Sequence, residues 1–401
     1  MILGYNINQR HPSKTRTLPI NDRTIIFELD ISKPPLLQHN RLISSIMEQQ
    51  QPKVLVHGSG AIGAIYIYIL QQSGCSVTAV CRSNYSAVKD NGFTIDSDKF
   101  GMNLKVRPDH VVQSPSEAAT QGLGPFDYVI VSTKALPGQG VSTPNIIKSA
   151  VVEGRTTVVL IQNGIGIEDE YATAFPKNDL VSCVVYLPTT QVSPGHIRMG
   201  AIELLHIGTF PSNQDPSSRA TQSTERLRTI LANGGSNVHS HPDIQAQRWS
   251  KLLINASWNP ICALSLSRDV AFLASGPLAE QLVQDVMDEV ILIARAKGYG
   301  DVVTSDLAKE QLQRALERKG SPGIEPSMLV DVLNGRRMEV EAILGEPVRI
   351  ARGLGVRVPR LETLYALLKG LDEAVALRGE GRSLGGDETE AARRGRDVEG
   401  V

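Results

Sequence analysis

The run VLVHGSGAIGAIYIYIL at residues 54–70 constrains the fold more than any other part of the chain. A short β-branched stretch meets glycines at 58, 60 and 63, and an apolar segment of helix length follows. A GxGxxG pattern alone says little, but between a strand and a helix it acquires a physical meaning. Gly58 admits a tight turn, Gly60 lets the backbone approach a pyrophosphate, and Gly63 permits close helix–strand packing. The unpaired N–H groups at the helix start then face an anion. Gly58, Ser59, Gly60, Ala61, Ile62 and Gly63 are therefore predicted to bind a dinucleotide, the competing reading being a glycine turn in some other α/β protein.

The periodicity around this loop supports βαβ units. The runs Val54–Val56, Val77–Val80, Tyr128–Val131 and Val158–Ile161 are short and rich in β-branched residues, as strands buried on both faces of a parallel sheet require. Runs at Val181–Leu187 and Ile202–Ile207 are expected to extend the sheet or add an antiparallel edge. After residue 243 the period becomes helical: Leu282, Val283, Val286, Met287, Val290, Ile291, Ile293 and Ala294 follow i, i+3, i+4, i+7 spacing. Further helices are expected near Leu307–Arg318, Ser327–Asn334, Met338–Gly353 and Leu361–Leu377. The fold class is α/β: an N-terminal Rossmann dinucleotide-binding domain over 51–242, then an all-helical domain over 243–378. The flanks, 1–50 and 379–401, lack apolar periodicity and are expected to be disordered.

Composition narrows the partners. A formal net charge of -1 advertises no polyanion, and no apolar run approaches the ~18 residues of a transmembrane helix. Neither nucleic acid nor membrane is expected as a partner. Cys75, Cys81, Cys183 and Cys262 are scattered, without metal-ligand spacing, and read as small core residues in a reducing, cytoplasmic compartment. Arg10, Lys14, Arg16 and Arg23 weakly resemble an organelle presequence, but Asp22, Glu28 and Asp30 spoil it, and targeting stays open. Met47 offers an alternative start shortly before the first strand. His239 and His241 have no third ligand nearby in the sequence, so they read as a polar loop and no metal is expected.

Cofactor choice should be written at the end of the second strand, where NAD sites usually carry a carboxylate about 20 residues after the glycines. This chain reads AVCRSNY there, with Arg82 in place of the acid. A guanidinium at that point attracts a 2′-phosphate and favours NADP; a solvated surface arginine is the alternative. In RWSKLLINASWNPICALSLS, residues Lys251, Asn255 and Asn259 recur at i, i+4 and i+8 and form one stripe on a helix. That stripe fits either the solvent face of an amphipathic helix or a pocket wall carrying an ammonium and two amides. Asparagine is a poor helix former, which weighs toward the wall.

WSKLLINASWNP resembles the W-x-K-x-x-x-N-x-x-x-N-P signature of the ketopantoate reductase family. VSTKAL, LIQNGIG, PSMLVDVLNGRRMEVEAILG and GLGVRVPRLETLYALLKGL are similar to other stretches of that family, and the likeness covers roughly residues 52–378. Two positions depart from its pattern: Glu341 stands at a usual Asp and Leu344 at a usual Asn.

The resemblance implies reduction of 2-dehydropantoate, a small 2-oxo acid, by NADPH. Lys251 would be the proton donor, with Glu339 anchoring the substrate hydroxyl and helping to order Lys251. Asn255 and Asn259 would hold the substrate and Ser327 its carboxylate, while Lys134 and Asn163 would lie at the cofactor. The plainer alternatives are an interhelical ion pair for Glu339 and a helix N-cap for Ser327. Rival functions are a same-fold reductase of another 2-oxo acid or specialised carbonyl compound, and a non-catalytic NADPH-binding sensor, which has no need of Lys251 and Glu339 together. A homodimer is the assembly this reading allows.

Overall fold

A computed structural model describes residues 15–20, 23–28, 51–138 and 140–378. Met47 and the tail 379–401 lie outside these residues. Within the N-terminal extension, strands β1 (Thr15–Ile20) and β2 (Arg23–Glu28) pair antiparallel, Thr15 opposite Glu28 and Ile20 opposite Arg23. Thr24, Ile25 and Ile26 supply the β-branched residues that favour a strand.

The body from residue 52 onward carries the sheet that the periodicity predicts. Its strands are β3 (Lys53–His57), β4 (Ser76–Val80), β5 (Phe93–Ser97), β6 (Gly101–Val106), β7 (His110–Val112), β8 (Tyr128–Val131), β9 (Thr157–Leu160) and β10 (Leu180–Tyr186). Four more follow, β11 (Thr189–Ser193), β12 (His196–Met199), β13 (Leu204–Phe210) and β14 (Val238–Ser240). Eight of them form one sheet in the order β14-β13-β10-β9-β8-β3-β4-β7. Neighbours run parallel except β10 and β13, whose antiparallel register sets Leu180 opposite Phe210 and Tyr186 opposite Leu204. β8 and β9 are buried along their whole length, as strands covered on both faces must be.

A separate four-stranded sheet, β11-β12-β5-β6, was not foreseen. β11 (TTQVS) is largely exposed and carries no apolar alternation to reveal it.

β3 is the switch point of the large sheet, with β4 on one side and β8 on the other. Chain leaving the C-terminal ends of neighbouring strands diverges there, which opens the crevice where α/β proteins bind ligands. Helix α1 (Ala61–Gln72) leaves β3 at this point and buries Ala64, Ile65, Ile67, Ile69 and Leu70 against the sheet.

From residue 244 the chain is helical. It forms α2 (Ile244–Ser265), α3 (Pro277–Ala296), α4 (Ser305–Leu316), α5 (Ser327–Leu333), a π-helical turn (Glu341–Gly345) running into α6 (Glu346–Gly353), and α7 (Pro359–Arg378). Asp243 caps α2 by accepting the Gln245 N–H. α2 is the axis of this half and packs on α3, α5, α7 and the strands β10 and β13. Trp249, Leu252 and Leu253 of α2 meet Val283, Val286, Met287 and Val290 of α3 in one core, all at most 1 % exposed. Each such side chain contributes about 1.5–3 kcal/mol by leaving water. No described helix is long and apolar enough to cross a membrane. All four cysteines are free and buried, as expected of core residues.

Candidate active site

The glycine loop has the geometry its residue types require. Gly58 has a φ of +100°, and a Cβ there would stand 2.6 Å from the Thr133 nitrogen. At Gly63 a Cβ would meet the Gly58 carbonyl oxygen at 2.5 Å, so only glycine lets α1 sit this close. Gly60 is different, because a Cβ there would meet nothing within 4 Å. Open space therefore lies beside Gly60 at the start of α1, whose N-terminus no side chain caps. That fits a pyrophosphate held by backbone N–H groups.

Ser59 is tied into the sheet. Its hydroxyl donates to Val56 O and its N–H to Val80 O, so both donors tie the loop to the strands and neither faces a ligand. Asn84, which sequence reading missed, donates from Nδ2 to Ser59 O at 2.8 Å and fixes the loop from the far side. Arg82 is exposed just beyond the end of β4.

From the glycine loop a contiguous chain of contacts leads into the helical half. Thr133, against Gly58, accepts a hydrogen bond on its carbonyl from Gln162 Nε2 at 2.9 Å. Two residues on, the Ala135 N–H donates to Glu339 Oε1 at 2.9 Å. Glu339 Oε2 accepts from Asn163 Nδ2 at 3.1 Å, and Lys251 Nζ donates to Asn163 Oδ1 at 2.8 Å. The amide of Asn163 thus bridges the carboxyl and the amine. Lys251 also donates to Val185 O, and its ammonium lies 5.4 Å from the centroid of the Tyr186 ring.

These residues come from the C-terminal ends of β8, β9 and β10, from the face of α2 opposite them and, for Glu339, from the irregular segment between α5 and the π turn. A small cavity is lined by Gln162, Asn163, Lys251 and Asn255, among others. The stripe on α2 is therefore a wall and not a solvent face: Lys251 and Asn255 are half-buried and Asn259 is buried.

Burial decides the electrostatics. Lys251 is pushed down to about 8 because desolvation penalises its cation; Glu339 pulls it back up and Arg248 pushes it further down. Burial likewise raises the carboxyl of Glu339 above the usual carboxylate range, against the hydrogen bonds from Ala135 and Asn163. Glu339 is thus held by an N–H and an amide, and not by the interhelical ion pair offered as its alternative.

Three other candidates have their polar groups engaged within the protein. Lys134 reaches across to the helical half, pairing with Asp331 at 2.7 Å and donating to Arg337 O at 2.8 Å. Asn259 spends Oδ1 on Ser327 Oγ and Met328 N, so it organises the first turn of α5. Ser327 is the first residue of α5 and not its N-cap, which is Pro326. Its proton goes to Asn259, so a carboxylate could recruit it only by breaking that bond. Leu344 is fully buried in the helical core, and its departure from the family pattern falls in packing. Glu341 accepts from Tyr365, Arg349 and Lys369 on the far side of the π turn.

The third histidine missing from the sequence reading is present: His206 Nδ1 lies 2.8 Å from His241 Nε2. Even so, no group among the described residues could hold a metal ion.

The largest omission is Arg248. Its Nη1 donates to the carbonyls of Gln162 and Gly164, which flank Asn163, both at 3.0 Å. Its Nε lies 2.7 Å from Glu168 Oε1, each side chain being 1 % exposed. The sequence offered little signal for it: Arg248 stands among Gln245, Gln247, Ser250 and Lys251, with Trp249 beside it.

The sheet order, the glycine loop at its switch point and the helical half facing it define a dinucleotide-binding α/β protein. Residues 54–212 match the family model described as ketopantoate reductase PanE/ApbA, and residues 243–372 match its C-terminal model. The chain belongs to the ketopantoate reductase family. An uncharacterised protein of Saccharomyces cerevisiae is 31 % identical over 79 % of this chain and 92 % of its own length. A 2-dehydropantoate 2-reductase of Nostoc is 27 % identical over 80 % of this chain and 95 % of its own. The crystal structure of 2-dehydropantoate 2-reductase from Methylococcus capsulatus superposes with a TM-score of 0.69 at 31 % identity, covering 81 % of this chain and 98 % of that one.

Proposed function

We propose that this protein reduces 2-dehydropantoate to pantoate with NADPH, Lys251 giving the proton. A bound nicotinamide would supply the hydride to the ketone carbon. Gly58, Gly60 and the start of α1 would hold the cofactor's pyrophosphate, and Arg82 the 2′-phosphate that distinguishes NADPH from NADH. Lys251 would place its ammonium at the ketone oxygen, stabilise negative charge as it develops and then transfer a proton, which solvent later restores. Asn255, one turn along α2, supplies an amide to the same cavity. Glu339 orders Lys251 through Asn163 and offers an acceptor for a substrate hydroxyl.

The Lys251–Asn163–Glu339 chain is the single observation that carries this reading. An amine beside neutral acceptors, with its carboxylate one amide away, can release a proton near neutral pH. NADPH consumption measured over a panel of 2-oxo acids tests the substrate. The highest kcat/KM is expected for 2-dehydropantoate. A tenfold or greater preference for another acid would reassign the substrate and leave the reaction class standing.

A further inference from the structure

The ammonium of Lys251 has three N–H bonds, and fixed protein acceptors take two of them, Asn163 Oδ1 and Val185 O. Its remaining surroundings include the cavity and the Tyr186 ring, whose centroid lies 5.4 Å from Nζ. Tyr186 ends β10, where the backbone that supplies the Val185 carbonyl also aims the ring. The ring is itself supported edge-on by His206 of β13, with centroids 5.9 Å apart and planes at 87°. His206 in turn contacts His241 at 2.8 Å. An aromatic face within about 6 Å of a cation attracts it through the ring quadrupole, and more strongly where water is excluded.

We propose that Tyr186 is a positioning residue that uses its ring face to hold Lys251 in the protonated form, seated on Asn163 and Val185 with one N–H left for the cavity. This rests on the reading of Lys251 as proton donor. The charged and titratable groups around the amine are few. Glu339, beyond Asn163, favours the cation and Arg248, on the same helix, opposes it. His206 is pushed down to about 4 by burial, then by His241, His239 and Lys251, so it stays neutral near pH 7. The hydroxyl of Tyr186 is pushed up to about 12 by burial, against Arg314, so the ring presents no anion. Without the ring, Asn163 and Val185 would hold an amine that burial deprotonates too readily.

The experiment follows the Lys251 side chain by NMR titration of the full-length protein with isotope-labelled lysine, the resonance being assigned by its loss in Lys251→Arg. Tyr186→Leu is expected to lower the midpoint by about 0.4 to 1.5 pH units. Tyr186→Phe, which keeps the face, should leave it unchanged. Replacement by p-cyanophenylalanine, which keeps the volume but drains the ring of charge, should give a smaller fall; it decides the matter if the leucine variant does not fold. An unchanged midpoint in the leucine and cyano variants, or an equal fall in Tyr186→Phe, would overturn the inference. If the midpoint moves as expected while the pH–rate profile of reduction ignores it, Tyr186 keeps its role and the proton-donor reading fails.

Discussion

Arg248 and Lys251 lie one turn apart on α2 and face the same loop, Gln162–Gly164, yet their surroundings oppose each other. Arg248 is fully enclosed; its Nε faces both the Glu168 carboxylate, 2.7 Å away, and Ser182 Oγ, while Nη1 and Nη2 donate to backbone carbonyls. Every one of these contacts fixes its position. Lys251 meets a neutral amide, a neutral carbonyl and an aromatic face, and its carboxylate stands beyond Asn163. The same helix and loop thus hold one cation whose charge is balanced on contact and one whose charge is left only partly balanced. The first is suited to holding geometry and the second to exchanging a proton.

The comparison breaks most severely at the arginine. Arg248→Ala strands the buried Glu168 and releases the carbonyls on either side of Asn163, so it should destabilise the protein by about 3–5 kcal/mol. Chemical denaturation measures this directly, and a loss within 1 kcal/mol would show that the pair is not the anchor of the loop.

Gly164 sharpens the comparison, because it sets the loop that both cations share. Its φ of +100° and the 2.5 Å from a built Cβ to the Ala342 Cβ and carbonyl oxygen leave no room for a side chain. Gly164→Ala should cost about 2–4 kcal/mol from backbone strain and overpacking. It should also depress turnover beyond the loss of folded protein, since Asn163 would shift. Activity per folded molecule equal to the parent's would separate the loop from the chemistry.

Arg82 supplies a third kind of cation, exposed and far from this loop in the sequence. Its replacement should leave stability almost untouched. Arg82→Asp should instead weaken NADPH by about a hundredfold, as a charge-assisted phosphate contact becomes a repulsion, and change NADH much less. Equal losses for both cofactors would remove Arg82 from phosphate recognition.

What could be read from the sequence follows the range of the interactions. The glycine turn, the buried parallel strands and the α2 stripe are patterns within about a dozen residues, and fixed helical or strand periods expose them. Arg248 to Glu168, Asn163 to Glu339 and Asn84 to Ser59 join residues that periodicity treats as unrelated. Ser327 and Asn259 show the converse: a family motif marked both, but their pairing with each other emerges only when α5 is set against α2. Of the second sheet only β11 lacks apolar alternation; β5, β6 and β12 do alternate, as in Phe93-Thr94-Ile95, Met102-Asn103-Leu104 and Ile197-Arg198-Met199, but over only four to six residues, too short a span for the period to stand out.

The contrast between the two cations is tested most directly by the pH dependence of kcat/KM for reduction, in the parent protein and in Lys251→Arg and Lys251→Ala. A donor works only while protonated, and Lys251 sits near 8, so the parent rate should hold below that pH and fall tenfold per unit well above it. Lys251→Arg, which keeps the charge but cannot release a proton, and Lys251→Ala should both lose about a hundredfold or more and lack this limb, while NADPH affinity stays close to the parent's. A parent profile flat to pH 10, or a Lys251→Ala protein turning over near the parent rate, would contradict the assignment of Lys251 as the proton donor.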